Sequence, residues 1–366
     1  MKILCIIDSL GSGGAQRQMT YLAKGLKERG HDVSIFIYQP GHDHFRFAIE
    51  SVGIPIYEVK RNGSKGFSLF VLWKLYLRLL VGANGIISFL PTANVYAALA
   101  KLLMFNRRLV VSQRTSSAAS TSTIRKWMSY FAYYCASTVT TNSQTEATVL
   151  RKALPRLVDK IHTVWNGYEI GEFDGRQSQN NGVRKLLVVG RVAYMKNGLR
   201  LLQALDLFQQ RNGYLPCVQW AGRRELGAHS QKIQVEMDQF LIEHPKIADN
   251  WVWLGEVNDV DQLYRENDAL IHVSLFEGLP NVICEAMIAG CLVIASDVCD
   301  HPILLGGGER GLLCDPLSPK SICEAIERLD RMVDKQRINM LIKAREFAEK
   351  NLAVDRMVQA YEVFLT

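Results

Sequence analysis

Strand-like apolar runs alternate with helical patterns along nearly the whole chain, and that alternation admits few folds. Short runs of β-branched and aliphatic residues fall at positions 3–8, 33–38, 54–59, 85–89, 108–112, 137–141 and 161–164. Between them lie segments of helical periodicity, the first over 16–28. Apolar strands separated by amphipathic helices imply parallel βαβ units with the sheet covered on both faces. The pattern breaks at 171–182, GEFDGRQSQNNG, a polar stretch rich in Gly, Gln and Asn that reads as a linker. It restarts with strands at 185–190, 217–221, 252–254, 269–274 and 292–296, and helices at 321–331 and 339–351 close it. A chain of 366 residues suits two such domains, 1–170 and 183–351, better than one. A composition of 48% hydrophobic and 22% charged residues is that of a globular protein rather than a disordered one.

The densest chemistry lies in EGLPNVICE, which sets Glu277 and Glu285 eight positions apart across a strand-to-helix turn. The run before it, ALIHVSL, has the look of a buried parallel strand, and NVICEAMIAG that of a short helix with Pro280 at its start and Gly290 at its stop. Glu277 then falls in the loop at the strand's carboxyl end, the edge of an open α/β sheet where ligands bind, and Glu285 near the helix start. Two acceptor-only side chains at one edge suit a ligand rich in hydroxyls. The alternative is a solvated loop charge and a glutamate favoured by the helix dipole. Arg191 and Lys196, in GRVAYMKN, follow the strand at 185–190. Two cations five residues apart in such a loop form a clamp for a diphosphate, or else serve solubility.

The first strand is followed by GSGGAQRQ, with Gly13 and Gly14 at the start of a helix. Glycines there let backbone approach a phosphate or sugar, though a turn serving only helix packing needs them as well. A dinucleotide fingerprint is disfavoured, because position 16 is Gln and the second strand ends Tyr38-Gln39-Pro40 with no carboxylate. Trp165-Asn166-Gly167 carries a strong turn signal just before the linker.

The pattern E-G-x-P-x5-E followed by AMIAGCLVIASD (286–297) closely resembles the donor-site signature of the retaining glycosyltransferases of family 4, the glycosyl transferases group 1. That resemblance spans nearly the whole chain. It implies the GT-B arrangement, two doubly wound Rossmann-like domains facing across a cleft, with the segment 352–366 crossing back onto the first. It assigns the nucleotide ribose to Glu285, the neighbourhood of the transferred sugar to Glu277, and the diphosphate to Arg191 and Lys196, which match a G-R-x-x-x-x-K-N pattern. By the same resemblance Gly278, Leu279, Pro280 and Asn281 line the donor site, and Gly13 and Gly14 join it; Gln16 stands where Glu is commoner. Glu277, Arg191 and Lys196 are the expected catalytic set. No metal or cofactor is expected, since the cations take the place of a metal-held diphosphate. Two departures stand out. The histidine that many members place at the end of a first-domain strand is absent, and Ser112, Gln113 and Arg114 occupy that place, which makes Arg114 an acceptor-side candidate; some branches carry a related S-x-R. In SDVCDHPIL (296–304) a Glu usual in the family gives way to Pro302 or Ile303. His272, within a strand, reads as a core residue.

Charge is unevenly divided. Residues 1–170 hold 21 Lys and Arg against 9 Asp and Glu, whereas the remainder holds 22 against 27. Between positions 59 and 158 fourteen basic residues face a single acid, Glu146. Such a half-molecule is drawn to phosphate-rich partners. Stretches 67–81 and 124–135 mix Trp73, Tyr76, Trp127, Tyr130 and Tyr133 with lysines and arginines. An apolar helix of this kind belongs to a core or lies peripherally on a membrane. Nucleic acid is the weaker partner, as no RNA-binding module pattern is present. The opening MKILCIIDSL lacks the pattern of a signal peptide, and 67–81 is too short to span a bilayer. Eight scattered cysteines, none in a C-x-x-C pair, suggest free thiols in a reducing compartment rather than a zinc site.

The expectation is a cytoplasmic, metal-independent, retaining hexosyltransferase. It would move a sugar from a nucleotide-diphosphate donor, a UDP-sugar, to a glycan or polyprenyl-linked acceptor for cell-envelope polysaccharide such as lipopolysaccharide. It would work as a peripheral protein on the anionic inner face of the plasma membrane. The competing classes are a nucleotide-sugar 2-epimerase-like isomerase and a non-catalytic sugar-nucleotide-binding protein.

Overall fold

The computed structural model describes all residues except 61–66, 105–106, 115–122, 172–181 and 258. The chain forms two compact units, Met1–Glu169 with Leu352–Thr366, and Ile170–Asn351. The expected linker lies almost wholly outside the described residues.

Unit 1 contains β1 (Lys2–Ile7), α1 (Gly14–Glu28), β2 (Asp32–Ile37), α2 (Arg46–Glu50), β3 (Ile56–Glu58) and α3 (Leu69–Leu80). It continues with β4 (Gly85–Phe89), α4 (Pro91–Leu102), β5 (Arg108–Gln113), α5 (Thr123–Cys135), β6 (Thr138–Thr141), α6 (Gln144–Ala153) and β7 (Ile161–Thr163). Its sheet runs β3-β2-β1-β4-β5-β6-β7. Every pairing is parallel, with Ile3 set between Val33 and Gly85. Strands this apolar need cover on both faces. Residues of α3, α4 and α5 pack in one core, and those of α1 and the C-terminal helix Val354–Leu365 in another. The approach of that last helix to α1 is close enough that a Cβ on Gly25 would lie 2.5 Å from Val358. Ser143 caps α6 by accepting from the Glu146 amide, in an S-x-x-E arrangement.

Unit 2 opens with β8 (Lys185–Val189), α7 (Gly198–Asn212), β9 (Cys217–Ala221), α8 (Ala228–Glu243), α9 (Pro245–Ala248), β10 (Trp251–Gly255) and α10 (Val260–Glu266). Then come β11 (Ala269–His272), α11 (Asn281–Ala289), β12 (Leu292–Ser296), α12 (His301–Leu304), β13 (Leu312–Cys314), α13 (Pro319–Asp330) and α14 (Asp334–Asn351). The sheet order is β10-β9-β8-β11-β12-β13, again parallel throughout. β13 is a three-residue strand that periodicity did not reveal, and the strand expected over 269–274 stops at His272. Strand order reverses between β8 and β11, so the loops leaving these two strands frame the crevice where an open α/β sheet binds ligands. Among the described residues no helix is long and apolar enough to cross a membrane. All eight cysteines are free thiols, and burial pushes those of Cys5, Cys291 and Cys314 up to about 12.

Candidate active site

The loops that leave β8 and β11 meet. Arg191 and Lys196 lie on the first, Lys196 ending a 3-10 turn over Tyr194–Lys196. Glu277 lies on the second, four residues before α11. Gly190 has φ +139, and a Cβ there would lie 2.9 Å from the Lys196 side chain, so glycine lets the lysine fold back over its own strand end. Asn197 adopts the left-handed conformation, φ 60, and donates its amide to Val273 O at 3.1 Å and Pro316 O at 2.7 Å. The Leu275 amide donates to Met195 O at 2.8 Å, which stitches the two loops together.

Eighty-one residues apart in the chain, Lys196 Nζ donates to Glu277 Oε1 at 2.6 Å, with the two side chains only 14% and 15% exposed. His272 Nε2 approaches the same carboxylate oxygen at 3.4 Å from beneath. Burial alone would raise the Glu277 carboxyl, but the contact with His272 and the Lys196 charge outweigh it and hold the group well below the carboxylate range. Glu277 is therefore ionised at neutral pH. Burial and the neighbouring lysine lower His272 and keep it neutral. His272 is buried, as the sequence suggested, but it is also a contact of the site, and its position in a strand gave no sign of this.

Below lies a second imidazole. His301 is fully buried on α12, its ring centroid 5.3 Å from that of His272. Its Nδ1 sits 2.8 Å from Ser296 O, the geometry of a donor to a carbonyl, and its Nε2 has no hydrogen-bond partner among the described residues. Burial, then proximity to His272, lowers His301 to about 3. Ser296 in turn donates to Ser274 O at 2.6 Å, and the Glu277 amide points to Cys299 Sγ at 3.4 Å. The SDVCDHPIL departure thus places an imidazole and a thiol under Glu277.

The helix α11 begins after Pro280 and ends at Gly290, φ 72, as the turn residues implied. Leu279 and Pro280 are buried, Gly278 and Asn281 half-buried, and a Cβ on Gly278 would meet open space. Glu285, half-buried on α11, accepts from the buried Tyr264 hydroxyl at 3.2 Å. Arg191 is exposed and paired with Glu225 at 2.5 Å. The two cations are thus each held on a carboxylate within unit 2, Arg191 on Glu225 and Lys196 on Glu277.

In unit 1, Gly13 caps α1 and Gly14 begins it, both exposed, and neither has a positive φ. Gln16 donates to Asp8 at 2.8 Å. The side chain of Gln18, fully buried, both donates to and accepts from the Gly167 peptide at 2.9 and 2.7 Å, which pins the Asn-Gly turn. Arg114 donates to Asn166 Oδ1 at 2.6 Å and lies 3.8 Å over the Phe89 ring, contacts that hold its guanidinium in place within unit 1. Gln113, also in the place of the expected histidine, accepts from the Tyr133 hydroxyl.

Two parallel sheets, the second with a cation–carboxylate pair at its switch point, define a doubly wound α/β protein. The description "Glycosyltransferase Family 4" fits residues 12–172, and "Glycosyl transferases group 1" fits residues 170–347. The chain belongs to glycosyltransferase family 4, with the GT-B fold, and is a glycosyltransferase. It is 26% identical over 297 residues to the GalNAc-alpha-(1->4)-GalNAc-alpha-(1->3)-diNAcBac-PP-undecaprenol alpha-1,4-N-acetyl-D-galactosaminyltransferase of Campylobacter jejuni, covering 78% of this chain and 77% of that protein. It is 23% identical to the amylovoran biosynthesis glycosyltransferase AmsD of Erwinia amylovora, over 81% of each. The crystal structure of Anabaena Alr3699/HepE in complex with UDP superposes with a TM-score of 0.83 at 21% identity, covering 100% and 99% of the two chains.

Proposed function

We propose that the protein transfers a hexosyl residue, with retention, from a UDP-sugar to a glycan on a polyprenyl diphosphate carrier, in the synthesis of a cell-envelope polysaccharide such as lipopolysaccharide. The meeting of Lys196 with Glu277 at the switch point of unit 2 carries this reading. Lys196 and Arg191 offset the charge that develops on the departing diphosphate, so the step needs no metal. Glu277, held ionised, accepts from donor-sugar hydroxyls and has no proton to give at neutral pH. Glu285, at the second turn of α11, accepts from the ribose hydroxyls, and Gly278 to Asn281 line the approach. Unit 1, strongly basic between positions 59 and 158, takes the acceptor. The undecaprenol-linked substrate in the Campylobacter relative's name, the polysaccharide in the Erwinia relative's and the UDP in the Anabaena complex support these choices. The reaction then belongs to the cytoplasmic face of the plasma membrane.

Incubation with labelled UDP-sugars, with and without a bacterial lipid extract, tests the reading. Label should enter the organic phase only when lipid is present, with UDP released in step. Conversion of the donor to an isomer without lipid would identify an isomerase, and tight donor binding without turnover of either kind a binding protein.

A further inference from the structure

We propose that α3 and α5 form a face of unit 1 that inserts shallowly into an anionic lipid bilayer. Helix α3 turns Val71, Leu75 and Leu79 into the core. On its outward side, at helical spacing, stand Leu69, Phe70, Trp73, Leu77 and Leu80, with Leu69 75% and Trp73 51% exposed. Large apolar residues thus stand on both sides of α3, yet only one side is buried in the core of unit 1. Helix α5 repeats the arrangement: Ala132 and Tyr133 are buried, whereas Ile124, Trp127, Met128, Phe131 and Tyr134 face out, Ile124 73% and Trp127 69% exposed. Both helices pack against α4, at whose end Leu102 and Leu103 are exposed as well.

Charge selects the occupant. Lys74 Nζ reaches over the Phe70 and Trp73 rings at 5.6 and 4.9 Å, and Lys126 Nζ over Tyr130 at 5.7 Å. Aromatic bodies flanked by long cationic side chains suit the headgroup level, where ammonium groups reach phosphates while the rings enter the acyl boundary. Between positions 59 and 158 the only acid is Glu146, so the stretch that carries both helices is strongly basic and suits an anionic surface. A second copy of this chain would bring basic rim against basic rim. The depth of contact therefore comes from aliphatic and aromatic residues, while Tyr133 is buried and Arg78 lies 3.7 Å over the Tyr57 ring. This deepens the reading of a lipid-linked acceptor, yet it rests on residues apart from the donor site.

The test uses the full chain, phosphatidylcholine vesicles with and without phosphatidylglycerol, and no donor or acceptor. Wild type should sediment with the anionic vesicles, less so as salt rises, and its tryptophan emission should be quenched by brominated lipid. The combined substitution of Leu69, Trp73, Leu77, Ile124, Trp127 and Phe131 by Gln should lower the bound fraction about tenfold or more. Thermal stabilisation by UDP-sugar should persist, which separates loss of docking from misfolding and from failure of the donor assignment. Trp73→Leu with Trp127→Leu should keep sedimentation but lose most of the quenching. Equal sedimentation with neutral vesicles, undiminished quenching in the double Leu variant, or a wild-type dimer that the Gln substitutions dissociate without changing vesicle binding would overturn the proposal.

Discussion

Replacing Glu277 by Gln keeps the shape of the side chain and removes its charge, which leaves Lys196 poorly partnered in a site it occupies at 14% exposure. Two unit charges about 4 Å apart at an effective dielectric near 20 attract by about 4 kcal/mol. Removing one partner of a buried pair typically costs about 3–5 kcal/mol, because the other charge stays desolvated. The residual exposure of both side chains places Glu277→Gln at the lower end, about 3 kcal/mol. Lys196→Met should cost a similar amount, since it strands the carboxylate. The double variant should cost clearly less than the two singles together, with a coupling of about 2 kcal/mol. Urea unfolding followed by tryptophan fluorescence suits the measurement, because Trp220, Trp251 and Trp253 pack within unit 2 at centroid separations of 5.4 to 5.8 Å. The double variant should also stay inactive despite its recovered stability. Single variants within about 1 kcal/mol of wild type, together with additive effects, would show the pair to be as screened as a surface ion pair.

Other outcomes follow from the same geometry. Glu285→Ala should weaken UDP binding by about 1.5–3 kcal/mol in calorimetry, the range for a hydrogen bond to a charged group; unchanged affinity would remove the residue from the nucleotide site. Arg191→Ala and Lys196→Ala should each lower turnover about a hundredfold or more, while chelator leaves wild-type transfer intact; activity lost to chelator and restored by a divalent ion would refute metal independence. His301 is lowered to about 3 from an ordinary 6.5, so the unfolded chain binds the extra proton between those values. Its contribution to stability is full above pH 6.5 and is lost as pH falls toward 3, at up to about 1.4 kcal/mol per pH unit. His301→Gln should flatten the decline in denaturation midpoint between pH 6.5 and 5; an identical slope in the variant would mean that the imidazole is not buried neutral.

Much of the fold was legible because strands buried on both faces are near-continuous apolar runs, and the helices between them are marked by turn residues such as Pro280 and Gly290. β13 escaped because three residues carry no period. The positions of Glu277, Lys196 and Arg191 at strand ends were legible too. Their partners were not, since contacts across 81 or 34 residues depend on how loops fold back. Arg114 shows the same limit: its neighbour Tyr361 lies 247 residues on, at a hydroxyl distance of 3.3 Å. The outward face of α3 could not be told from its inward one, because both are apolar and periodicity records no direction.

The C-terminal helix adds Met357, Val358, Tyr361 and Leu365 to the core around β1 and α1, and Arg29 binds Asp355 and Glu362 at 2.6 and 3.1 Å. In the order of synthesis these residues appear only after all of unit 2. The first unit to leave the ribosome therefore lacks part of its core until almost the whole chain has been made, and the seam beside α1 stays open throughout the synthesis of unit 2.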